Sequence, residues 1–201
     1  MKRIVLFLLM FVWIIEQLCF ALPARPPDFK QTDPRWRDMV YSSHGDTSQL
    51  LKDHGCGVCA VADMIAYWFD DSITPVEIAE LSMRIGTCGY NSGTSRLFYN
   101  AITEHYPFSR FVETSHIDTA IECLESGGLV IVSFKSGVWN PNKSKRHSCL
   151  LYSYSKYDGF RLNDPGWPDG LMSKIIGHGS YEEVAEHAER YWCYWGAYES
   201  N

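Results

Sequence analysis

The residue with the clearest capacity for covalent chemistry is a cysteine between two glycines, in the segment His54-Gly55-Cys56-Gly57-Val58-Cys59. Apolar residues follow it at helical spacing: Val61, Met64, Ile65 and Trp68. A thiol at a helix N-terminus meets the positive end of the helix dipole, which favours the thiolate. The flanking glycines would also let a substrate approach the sulfur and the Cys56 amide. We therefore predict that Cys56 is a nucleophile, the alternative being a buried or disulfide-bonded cysteine.

A nucleophilic cysteine needs a base, and His147 is the best candidate because it opens a predicted strand over Ser148–Tyr154. A second predicted strand, Gly159–Leu162, is followed by Asn163 and then Asp164. When two antiparallel strands are joined by a tight turn, the start of one lies beside the end of the other. We therefore expect Asp164 to accept a hydrogen bond from His147 and to fix its tautomer. A surface histidine and a simple Asp-Pro turn are the alternatives.

Acyl transfer also needs donors for the oxyanion that forms on the substrate. The backbone N–H of Cys56 is one candidate. The side-chain amide of Gln31, in the segment Phe29-Lys-Gln-Thr-Asp-Pro-Arg-Trp36, is the second. A surface glutamine is the alternative interpretation of Gln31.

The order of these motifs along the chain is informative: Gln31-Thr-Asp-Pro-Arg-Trp36, Gly55-Cys56-Gly57, Gly93-Thr94-Ser95, His147 before an apolar strand, and Asn163-Asp164-Pro165. Together they resemble the papain-like cysteine peptidases related to the double-glycine (bacteriocin-leader) peptidases, in their stand-alone secreted branch. The resemblance extends from Phe29 to Trp167. It departs from the family after Cys56-Gly57, where Val58-Cys59-Ala60 stands in place of the usual Pro-Thr-Ser.

This resemblance implies a cysteine peptidase that acts on a peptide or protein substrate without a metal or other cofactor. It assigns Cys56 as nucleophile, His147 as base, Asp164 as orienting acid and Gln31 as oxyanion-hole residue. A leader-peptide substrate does not follow, because the transporter-fused leader peptidases carry membrane domains and this chain shows none. An amidase or transpeptidase would use the same residues.

Three other functions remain open at this stage. Cys56-x-x-Cys59 is also a redox motif, so a thiol–disulfide oxidoreductase is possible in principle, although no apolar strand precedes the motif. A metal site could use Cys56, Cys59, His147 and Cys149 as ligands. A non-catalytic binding domain could keep the same fold.

The elements that position these residues change in type along the chain. Helical patterns come first, over 56–69, 74–85, 94–105 and 117–124. Strand patterns then follow over 129–134, 148–154 and 159–162, with a last helix over 181–190 and a last strand over 191–198. The order predicts an α+β fold of papain-like type, with an N-terminal helical half and a C-terminal antiparallel sheet half.

Length and composition set the remaining limits. The chain has 201 residues, 46% of them hydrophobic, which suits one domain with a real core. A net charge of −6 argues against binding to nucleic acid, whose phosphate backbone is also negative. The sequence predicts a cleaved signal peptide over 1–21. It has a positively charged start at Lys2 and Arg3, a 12-residue apolar run from Ile4 to Ile15, and the small residues Cys19 and Ala21 before the cleavage site. We therefore expect a secreted domain over 22–201 with no membrane span in the mature chain.

Overall fold

A computed structural model describes residues 25–135, 146–166 and 177–197. The predicted signal peptide lies outside these residues. The first half of the described chain is helical, apart from a two-stranded ribbon formed by β1 (Cys88–Gly89) and β2 (Gly93–Thr94). Its helices are α1 (Leu51–His54), α2 (Cys56–Trp68), α3 (Pro75–Arg84) and α4 (Arg96–Ala101), the last continued by a 3₁₀ turn over Ile102–Glu104.

The second half supplies a six-stranded sheet in which every neighbouring pair is antiparallel. Its strands lie in the spatial order β3-β8-β4-β5-β6-β7. Two helices accompany it, α5 (Ile117–Glu125) and α6 (Tyr181–His187). The strands are β3 (Arg110–Thr114), β4 (Leu129–Phe134), β5 (His147–Ser155), β6 (Gly159–Asn163), β7 (His178–Gly179) and β8 (Ala188–Trp195). This arrangement confirms the predicted α+β class.

Local sequence explains where several helices begin. Thr74 and Glu77 form a reciprocal capping box at the start of α3, and Pro75 occupies the first helical position. Ser180 and Glu183 do the same for α6. The long helix predicted from Cys56 is confirmed, and it ends at Trp68.

Two predicted helix boundaries are wrong, and with the second of them the start of the last strand. The helix expected over 94–105 begins at Arg96, because the Ser95 side chain caps it and Thr94 pairs in the ribbon. The helix expected over 181–190 ends at His187, because Ala188 is extended with ψ of 140° and starts the last strand. That strand ends at Trp195, and its predicted end at 198 lies outside the described residues; β3 was not predicted.

The sheet is covered on both faces, by one apolar cluster on each. On one face Ile131, Leu150 and Trp192 pack with the residues of α2 and α3. On the other face Val130, Val132 and Leu151 pack with residues of α5. The helical half is therefore docked on the sheet through α2, the helix that begins at Cys56. Among the described residues, no helix combines the length and apolar character needed to span a bilayer.

Candidate active site

The cysteine identified from the sequence is the first residue of α2, and its side chain is partly exposed at a cleft. The glycines beside it are required by packing. A Cβ on Gly57 would lie 2.4 Å from the Tyr99 hydroxyl oxygen, and one on Gly55 would lie 2.6 Å from the Leu51 backbone oxygen. The Gly-Cys-Gly pattern thus lets α2 begin against two neighbouring elements, which fixes the position of the sulfur.

Cys56 and His147 meet where α2 packs on the start of β5. The His147 imidazole and the backbone N–H of Ser148 both interact electrostatically with the Cys56 sulfur. Burial by itself raises the pKa of the Cys56 thiol. The interactions with His147 and the Ser148 N–H outweigh that effect, so the pKa of Cys56 is lowered.

The other side of the imidazole faces a carboxylate. Nε2 of His147 lies 2.6 Å from Oδ1 of Asp164, the residue directly after β6, which is the proximity predicted for the two antiparallel strands. Because Nε2 is engaged there, Nδ1 is the nitrogen available to Cys56. The same Oδ1 accepts a hydrogen bond from the Gly166 N–H at 2.9 Å, which holds the carboxylate in place.

The surroundings of His147 favour its protonated form. Burial tends to lower the pKa of the imidazole, but Cys149 and Asp164 act in the opposite direction and raise it well above its usual value. A lowered thiol pKa beside a raised imidazole pKa favours a thiolate–imidazolium pair between Cys56 and His147. Such a pair is a preformed nucleophile with its proton donor alongside.

Gln31, the predicted oxyanion-hole residue, lies near this group without lining the cleft. Its backbone N–H donates to Pro165 O at 2.8 Å, and its side-chain Nε2 donates to Lys52 O. Gln31 is nearly buried at 9% exposure, and Oε1 makes no hydrogen bond within the described part of the chain. The side-chain amide of Gln31 carries a second N–H besides the one that donates to Lys52 O.

A buried carboxyl that sequence reasoning missed ties these elements together. Asp63 of α2 is fully buried; its Oδ1 accepts from Phe29 N at 2.8 Å and its Oδ2 from Asn163 Nδ2 at 3.1 Å. Burial raises the pKa of Asp63 well above its usual range. The segment before Gln31, the cysteine helix and the strand end before Asp164 therefore share one hydrogen-bonded anchor. A single acidic residue inside the apolar run of α2 was the available signal.

The cleft beside Cys56 has a volume of about 430 Å³. Its walls are mainly small and polar, with Arg96 and Arg146 among the lining residues. Glu189 forms an ion pair with each of these two arginines. The small polar members of the lining are Asn91, Ser92, Thr94, Ser95, Ser133 and Ser148. An extended polar chain fits such a surface better than a bulky apolar ligand does.

Two alternative functions rest on the cysteines: a redox centre and a metal site. Two features argue against a thiol–disulfide oxidoreductase. Cys59 is fully buried in the core, and burial raises the pKa of its thiol well above the usual value. The short helix α1 precedes the Cys56-x-x-Cys59 motif, where a redox fold would have a strand. Ligand atoms of His147, Cys149 and Asp164 lie within 4.8 Å of one another. That group is the only such cluster among the described residues, it excludes Cys59, and two of its members already pair with each other.

The chain matches a family model and resembles a solved structure. A family model described as the Peptidase_C39 like family matches residues 38–196. A crystal structure of a candidate C39-like peptidase from Bacillus anthracis superposes with a TM-score of 0.47 and 14% identity, covering 73% of this chain and 91% of that one. No curated protein matches the sequence. Since the family model spans most of the chain, including Cys56, His147 and Asp164, the protein belongs to the Peptidase_C39 like family of cysteine peptidase-type proteins.

Proposed function

We propose that this protein is a secreted cysteine peptidase that hydrolyses a peptide bond through an acyl-enzyme on Cys56. The observation that carries the proposal is the chain of contacts at the cleft. The His147 imidazole acts on the Cys56 thiol and lowers its pKa, and Nε2 of that imidazole lies 2.6 Å from Oδ1 of the Asp164 carboxylate. Nucleophile, base and orienting acid thus stand in the order that acyl transfer requires.

In the proposed mechanism the Cys56 thiolate attacks the scissile carbonyl carbon and forms a tetrahedral oxyanion. We assign the stabilisation of that oxygen to the Cys56 N–H and to the second N–H of the Gln31 amide, the one that does not bond Lys52. The His147 imidazolium then donates its proton to the leaving amine, and the C–N bond breaks. His147 next accepts a proton from water, which attacks the thioester; the acid product leaves and the thiolate is restored. Asp164 holds the imidazole in one tautomer throughout.

The proposal is tested by incubating the purified mature chain with peptide pools and analysing the products by mass spectrometry. We expect cleavage products that carry the elements of water, and an acylated Cys56 on rapid acid quenching. Cys56→Ala should abolish both signals. Cys59→Ala is the matched control, because it removes the neighbouring thiol from the core and should keep most of the activity. Cleavage that survives Cys56→Ala, or that is lost equally in Cys59→Ala, would contradict the proposal.

Export is part of the same proposal. It is supported by the charged start, the apolar run and the small residues at the predicted cleavage site. The full chain expressed with its own N-terminus should appear in the medium beginning at Leu22. Retention inside the cell with residues 1–21 intact would contradict export while leaving the peptidase chemistry to be judged by the peptide assay.

A further inference from the structure

Two cysteines far from the cleft face each other across the second apolar cluster. Cys123 of α5 and Cys193 of β8 are both fully buried. The Cys123 sulfur lies 3.6 Å from the backbone oxygen of Tyr194, the residue after Cys193. The Cys193 sulfur lies 3.9 Å from the backbone oxygen of Thr119, one helical turn before Cys123. Each thiol therefore reaches the backbone of the element that carries the other, and this places the two sulfurs close together.

The remaining thiols have different surroundings. Cys59 and Cys88 belong to the cluster on the opposite face of the sheet, and the Cys88 sulfur donates to Tyr41 O at 3.2 Å. Cys149 belongs to the same cluster as Cys123 and Cys193, but its sulfur lies within 4.8 Å of a ring nitrogen of His147. The contacts made by the sulfurs thus pair Cys123 with Cys193 and keep Cys56 apart from both.

We propose that Cys123 and Cys193 form a disulfide that links α5 to β8 when the chain folds in an oxidising thiol–disulfide couple, and that Cys56 remains a free thiol. One thiolate attacks the S–S bond of oxidised glutathione, forming a mixed disulfide and releasing one glutathione thiolate. The second thiolate attacks the protein sulfur of that mixed disulfide and releases the other. Two electrons pass to glutathione, and the two cysteine protons end on its thiols.

The fold indicates when this reaction takes place. The contact with Cys193 and burial both raise the pKa of the Cys123 thiol far above its usual value. A thiolate is therefore scarce in the closed native core, so the bridge forms during folding, before α5 seals over β8. The cross-link then joins elements about 70 residues apart, and closing a loop of that length restricts the unfolded chain strongly.

The test starts from the reduced, denatured mature chain, refolded in a mixture of reduced and oxidised glutathione. Free thiols are then alkylated under denaturing conditions, and the chain is digested without reduction and mapped by mass spectrometry. We expect one linked peptide pair, Cys123 with Cys193, and an alkylated Cys56. The bridged chain should also unfold at a higher temperature than the same chain after reduction.

Cys123→Ser should lose both the linked pair and the difference in unfolding temperature between oxidised and reduced protein. Cys88→Ser is the matched control, since it also alters a buried thiol and should keep both. Should the Cys123 variant fail to fold, the wild-type map decides by itself. The same mapping is made on chain secreted into culture medium. Native protein in which both cysteines are alkylated, or in which either is linked to a different cysteine, would overturn the proposal.

Discussion

A methyl group added at Gly166 should disturb the site without replacing any of its reacting groups. The Cβ of Gly166→Ala would lie 2.7 Å from Cε1 and 3.3 Å from Nε2 of His147. Ordinary van der Waals contact begins at 3.4 Å, so the ring must move by about 0.7 Å. That movement opens the 2.6 Å contact with Asp164 and turns the ring relative to the Cys56 sulfur.

Misplacement of a catalytic group by 1 Å can lower turnover by about 10²-fold, so a shift of about 0.7 Å should lower peptide cleavage by roughly 10- to 10²-fold. Thiol reactivity gives a second readout that needs no substrate. A cysteine with the ordinary pKa of about 8.5 is only about 0.3% thiolate near pH 6. We expect the iodoacetamide labelling rate of Cys56 near that pH to fall about tenfold as the pairing with His147 weakens.

The matched control for this substitution is Gly196→Ala. Its new Cβ would also be crowded, at 3.1 Å from the Trp68 ring, but it lies outside the cleft lining. Labelling of Cys56 in this control should remain at the wild-type rate, and thermal unfolding of both variants reports any general loss of stability. Labelling and cleavage in Gly166→Ala within about twofold of wild type would refute the described placement of the His147 ring.

Two further substitutions separate the proposed roles. Asp164 is one of the groups that raise the pKa of His147, so Asp164→Asn should lower that pKa. The alkaline limb of the kcat/KM profile, where the imidazolium loses its proton, should then move to lower pH; an unmoved limb would contradict the pairing. Gln31→Ala should lower turnover by about 10²- to 10³-fold, the usual effect of losing one oxyanion donor, while Cys56 labelling is unchanged. Equal losses of labelling and turnover would show that Gln31 is structural.

Much of the site follows from local sequence because it depends on short-range geometry. The place of Cys56 at a helix start could be predicted because the apolar spacing of that helix is local to the sequence. The approach of Asp164 to His147 follows from one antiparallel pair of adjacent strands, β5 and β6, so their spacing along the chain is sufficient to predict the contact.

Features that depend on distant pairings could not be predicted in this way. β8 is the last described strand, yet it lies between β3 and β4, one strand in from the edge of the described sheet. The strand character of β3 depends on that neighbour, since its own residues carry a weak apolar pattern. Likewise, Gln31 contacts Lys52 and Pro165, and Asp63 contacts Asn163. These contacts join segments that lie far apart along the chain, so no local pattern predicts them.

The central claim is that His147 makes Cys56 a thiolate, and pH-resolved labelling tests it most directly. The labelling rate of Cys56 by iodoacetamide is measured by peptide mapping across the acidic and neutral range, in wild-type protein and in His147→Ala. Because the Cys56 pKa is lowered, the wild-type rate should persist well below the pH at which an ordinary thiol becomes unreactive. In His147→Ala the profile should shift to higher pH by at least one unit, on the order of a tenfold loss near neutrality. Superimposable profiles of the two proteins would contradict the account.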